Sequence, residues 1–107
     1  MKAAELQAVD LNQLMACSHD EYRHVLIAEL ERLRSALIAL PEDSSEAEIL
    51  SCFERCVCAL NDVDGDEELD ICIDTVDREQ LCEALYTMGD VVGLDADTEY
   101  VDEWRDW

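Results

Sequence analysis

Glycine and proline are almost missing from this chain: three Gly and one Pro in 107 residues. These two residues punctuate hairpins, bulges and tight turns, so an all-β or loop-rich fold has little to build with. The apolar residues recur mostly at spacings of three and four, the period of a helix face. The expected fold class is therefore all-α, a small four-helix bundle-like domain over residues 1–89 with an acidic extension over 90–107, packed on it or projecting from it.

Four helices follow from the pattern. The first runs from about Ala3 to Ala16, with a stripe of Ala4, Ala8, Leu11 and Met15, although Leu6 and Val9 fall elsewhere. Ser18-His19-Asp20-Glu21 matches a capping box and opens the second. Tyr22, Val25, Leu26, Leu30, Leu33 and Leu37 give that helix the clearest 3.6-residue period in the chain, ended before Pro41. A second capping-box pattern, Ser45 to Glu48, opens a third helix that turns Ile49, Cys52, Phe53, Cys56, Val57 and Leu60 inward and stops near Asn61. From the N-cap candidate Asp64, the residues Leu69, Cys72, Ile73, Val76, Leu81, Leu85 and Met88 fit one face of a fourth helix that ends at Gly89. The same stretch has a second reading, an α+β one: residues 69–73 alternate as a short strand, and a shorter helix begins near Asp77.

The formal charge is −21, from 28 acidic and 7 basic residues. A field of that sign is repelled by phosphate backbones and anionic bilayers, so direct binding to nucleic acid or membrane is excluded as an expectation, and the partners left are cations or basic proteins. Distribution says more than the total. Residues 1–40 carry −2, residues 41–60 carry −4, and residues 61–107 carry −15. General adaptation to salt would spread acids over every surface, yet the second helix is nearly balanced by Arg23, Arg32 and Arg34.

Focused acidity of this kind can imitate a nucleic acid. A helix over 64–88 would span about 37 Å at ~1.5 Å per residue and carry roughly one net charge per 4.6 Å, against ~3.4 Å for one DNA strand. The expected partner-binding residues are Asp64, Asp66, Glu67, Asp70, Asp74 and Asp77, joined by Asp95, Asp97, Glu99, Asp102 and Glu103 in the extension. Tyr100, Trp104 and Trp107 fall at i, i+4 and i+7. Trp104 and Trp107 either complete the chain's own core or serve as aromatic anchors for the partner. The function that fits is a small acidic inhibitor, a DNA or RNA mimic of the anti-defence or immunity type. The alternative is a structural or adaptor protein that dimerises through its N-terminal helices along Leu26, Leu30, Leu33 and Leu37, its acids serving solubility.

Other chemistries find little support. Asp62-Val63-Asp64-Gly65-Asp66 opens like a calcium loop but has Glu67 and Ile73 where the sixth-position Gly and twelfth-position Glu belong. Cys52, Cys56 and Cys58 lack zinc-knuckle spacing and read as core residues, with Cys58 turned outward. No phosphate loop, nucleophile motif or two-His metal helix occurs, so no catalytic residue, metal or cofactor is expected, and the chain is read as a non-enzyme. No basic leader precedes a long apolar stretch, and six cysteines without an export signal read as reduced thiols. The expected location is the cytoplasm.

Overall fold

The computed structural model describes residues 2–107. It is all-α: five α-helices and two 3-10 turns, with no strand among the described residues. The helices are α1 (Lys2–Gln7), α2 (Leu11–Leu14), α3 (Arg23–Ala39), α4 (Glu46–Val63) and α5 (Thr75–Val91). The radius of gyration, 13.3 Å, is close to the ~13 Å of a compact chain of this length. No described helix is long and apolar enough to cross a membrane.

The first expected helix is broken in two, and the break explains its irregular stripe. Asp10 adopts an extended conformation and its carboxylate accepts the Gln13 amide at 3.1 Å, starting α2 afresh. Carbonyls released at the end of α1 are taken by Arg34, whose Nη1 donates to Val9 at 2.7 Å and Leu6 at 3.3 Å. The change of direction brings Leu6 into the same core as Leu11 and Met15 and leaves Ala4 and Ala8 exposed.

Helix α3 buries Leu26, Leu30, Leu33 and Leu37 as its period requires, but it starts later than the capping box implies. Ser18 is turned into the interior, and Tyr22 occupies the N-cap position without a side-chain cap bond. The helix stops at Leu40, held in an extended conformation before Pro41. Helix α4 opens as expected, with the Ser45 hydroxyl accepting the Glu48 amide, and buries Cys52, Phe53, Cys56, Val57 and Leu60.

Residues 64–74 form neither the front of a long helix nor a strand. Aspartates satisfy the backbone instead: Asp64 accepts from the Ile73 amide at 2.8 Å, and Asp66 from the amides of Glu68 and Leu69. Gly65, at φ 81°, and Asp70, at φ 52°, supply the left-handed residues of the turn. Burial alternates only over 70–73, with Ile71 and Ile73 inside and Asp70 and Cys72 exposed, while Leu69, which an alternating strand would place on the side of Ile71, is exposed. That period of two is what made a strand plausible; no neighbouring strand is there to pair with it. The helix that does form begins at Thr75, close to the shorter alternative.

Gly89 does not end α5. The helix continues to Val91, and the glycine is where the Tyr100 ring lies against it: a Cβ there would sit 2.0 Å from the Tyr100 hydroxyl. Tyr100 is the centre of an aromatic cluster, edge-on to Phe53 at 5.7 Å and Tyr86 at 5.1 Å. With Leu94, Val101 and Trp107 it carries the tail into the main core. The tail's end is tied to α4 by Asn61, which donates to the Trp104 carbonyl at 2.8 Å and accepts from the Asp106 amide at 2.9 Å.

Candidate functional site

Two groupings of acidic side chains result, one buried and one on the surface. The buried one is built at the N-terminus of α5. Asp74 is the N-cap, and Asp74 and Asp77 accept one another's backbone amides in a complete capping box. Asp77 is wholly buried. Its carboxylate also accepts from the Ser18 hydroxyl, the Tyr22 hydroxyl and, at 3.3 Å, the His19 amide. Burial alone would raise its pKa, but the hydrogen bonds from Ser18, Tyr22, the Asp74 amide and His19 outweigh it and hold Asp77 well below the ordinary carboxylate range. Asp77 is therefore no phosphate surrogate. It fastens the turn before α3 to the start of α5.

His19 completes the group, with Nδ1 3.2 Å from Asp77 and Nε2 3.3 Å from Asp74. The Asp77 hydrogen bond, with the charges of Asp77, Asp74 and Glu21, raises its pKa despite some loss of solvation. A ring nitrogen facing each of two carboxylates suits an imidazolium bridge, because only the protonated ring donates from both. His19, Asp74 and Asp77 are also the one set of His, Cys, Asp or Glu side chains among the described residues whose ligand atoms converge, all lying within 4.8 Å. To take a metal there, His19 would give up one carboxylate contact and Asp77 would trade hydrogen bonds it already has. The Asp62–Asp66 run makes no such convergence. His19, Ser18 and Tyr22 escape a linear reading because they lie 55 to 59 residues from Asp77. The Asp74-x-x-Asp77 spacing is the only local trace of the arrangement.

The surface grouping holds most of the charge. Beyond residue 60, Asp62, Glu67, Glu68, Asp70, Glu79, Glu83, Asp90, Asp95, Asp97, Glu99, Asp102, Glu103 and Asp106 are exposed. Asp64, Asp66 and Asp74 are half-buried. Asp102 is the single one of these paired with an arginine, Arg105, among the described residues. Arg23, Arg32 and Arg34 are each matched to an acid three residues earlier, so α3 keeps its own balance. The tail lies over α4 and α5, and the loop joining those helices is the acidic 64–74 turn. The tail is thus a neighbour of acid-rich α5, while α3 packs above all against α4 and also against α1, α2 and α5.

Several expected site residues have local duties as well. Asp64, Asp66, Asp74 and Asp95 each accept a backbone amide, which is one physical reason for aspartate at those positions. Since 64–74 is not helical, the 37 Å ladder of charges does not exist. On α5 a shorter stripe remains, in which Glu79, Glu83 and Asp90 share one face over about 16 Å at ~1.5 Å per residue. Trp107 is buried, 6 % exposed, and belongs to the core rather than to an interface. Trp104 is half-buried, its ring 6.3 Å from that of Tyr100. Leu26, Leu30, Leu33 and Leu37 are at most 2 % exposed, so the seam expected for a second copy is filled by this chain's own side chains. Cys72, expected on the inner face of the fourth helix, is exposed, as is Cys17, and Cys58 is turned outward as expected.

Compared with models of known families, with curated proteins and with solved structures, the chain matches none.

Proposed function

We propose that this protein is a small acidic inhibitor that covers the basic nucleic-acid-binding surface of another protein. One observation carries the reading: the acids beyond residue 60 are overwhelmingly exposed, and among the described residues a single arginine is paired with one of them. Self-repulsion on that scale opposes compaction, and a cationic partner relieves it on binding. The buried Asp77 group and the aspartate-capped turn support the reading in another way, because they hold the acidic loop and α5 in place before any partner arrives. A preformed charged surface loses less conformational entropy on association and steers encounter over long range. Mimicry here means a surface of matching charge, not a helix with the pitch of a phosphate strand.

The test is capture of purified nucleases and DNA-binding repressors on the immobilised protein, followed by competition with duplex DNA across a salt series. Binding that duplex DNA displaces, with log Kd rising linearly with log salt concentration, is the expected result. Affinity that ignores ionic strength, or complexes that duplex DNA leaves intact, would refute the reading.

A further inference from the structure

We propose that the pocket between the start of α4 and the tail receives one arginine side chain of the basic partner, as the anchor of an otherwise diffuse electrostatic contact. This rests on the inhibitor reading above and gives it a specific point of recognition. The pocket's volume is 210 Å³, below the ~300–1,000 Å³ of ordinary small-molecule clefts. That is the share of about seven waters at ~30 Å³ each, a space for one side chain rather than a metabolite. Tyr100 and Trp104 give it aromatic walls, Leu50 an apolar one, and Glu46, Asp95 and Glu103 surround them with carboxylates.

Three features select the occupant. None of the three carboxylates is in an ion pair among the described residues, so no cationic side chain neutralises the pocket. The partial positive charge at the N-terminus of α4, which would oppose a cation, is offset by Glu46 and Glu48 in its first turn. An aromatic face beside carboxylates favours the flat guanidinium over the compact ammonium, since the former stacks and donates in several directions at once. The tail already uses this combination internally: Arg105 is held by Asp102 at 2.6 Å and lies 5.6 Å from the centre of the Trp107 ring. Tyr100 and Trp104 are themselves kept in place, by the Phe53 and Tyr86 rings and by the bond from Asn61 to the Trp104 carbonyl. The pocket is therefore formed before it is filled.

The experiment uses a nonaarginine peptide as probe, with the full chain at low salt, and follows the indole N–H resonance of Trp104 while affinity is measured by calorimetry. Glu46→Gln/Asp95→Asn/Glu103→Gln removes the pocket charges, and the Asn retains the acceptor that caps the following turn. Glu67→Gln/Glu68→Gln/Glu79→Gln removes as many exposed charges elsewhere. We expect the pocket variant to lose about 30-fold in affinity, the scale of an interface hot spot, the control at most about 3-fold, and the Trp104 resonance to shift in the wild type. Equal weakening by the two variants, or an unmoved Trp104 resonance at saturation, would overturn the pocket while leaving the acidic surface intact as a binding face. A wild-type chain that fails to bind the peptide at all would overturn both.

Discussion

Replacing Gly89 by Ala sets two opposed effects against each other. In a helix interior the change should stabilise by about 1 kcal/mol, because Ala loses less backbone entropy. Here the added Cβ would stand 2.0 Å from the Tyr100 hydroxyl and 3.2 Å from Cζ of the same ring. The ring cannot swing away cheaply, since Tyr100 is 5 % exposed and wedged against Phe53 and Tyr86. Relief of that overlap belongs at the upper end of overpacking costs, about 3 kcal/mol, so Gly89→Ala should destabilise by about 2 kcal/mol net. Tyr100→Phe removes the atom in conflict. It also removes a buried hydroxyl that has no hydrogen-bond partner, and should by itself be neutral or stabilising by up to about 1 kcal/mol. The double variant then keeps the helix gain with only the 3.2 Å contact to relax, and should come out near or above wild type. Urea unfolding followed by helical circular dichroism measures all four corners of the cycle, which should show a coupling of about 2 kcal/mol in favour of the double variant. A stabilising Gly89→Ala, with effects that simply add, would refute the account of why glycine stands there.

Asp77→Ala strands the Ser18 hydroxyl and the amides it serves, and should cost about 3 kcal/mol of unfolding free energy as read by urea titration; a loss below ~1 kcal/mol would mean that the buried carboxylate is not the fastening between α3 and α5. The pH dependence has two limbs. Because Asp77 is depressed from 3.8, its contribution is present above that value and fades as pH falls through its folded pKa; because His19 is raised from 6.5, its contribution is complete below 6.5 and fades as pH rises through its folded pKa. Stability should therefore peak between about pH 4 and 6.5, and His19→Gln should flatten the alkaline limb specifically, as read by thermal unfolding across pH. Adding salt should raise the melting temperature, since the Debye length shrinks from ~30 Å at 0.01 M to ~3 Å at 1 M and screens the repulsion of a chain at −21. Calorimetry showing no rise would place the acids too far apart to repel.

Helix content, the leucine face of α3, the Ser45 cap and the lopsided charge were legible in the residues alone, because each depends on neighbours within one or two turns. The alternation was legible only in part, since burial follows it over 70–73 while Leu69 is exposed and no strand forms among the described residues. What could not be read was anything that depends on a distant partner. Ser18 looked like a cap because nothing local reveals Asp77, and Asp77 looked like surface because acids are exposed unless remote donors satisfy them. Gly89 looked like a helix end because a ring arriving from eleven residues away leaves no mark on its surroundings in the chain.

Local periodicity and composition thus determined that the protein is helical and where its charge is concentrated. Tertiary structure decided which aspartates are structural and which face outward, that Trp107 lies in the core, and that Trp104 and Tyr100 wall a pocket rimmed by carboxylates. The reason is that a backbone period acts over a few ångströms of chain, whereas the burial of a charge is settled by hydrogen-bond donors that only folding brings within reach.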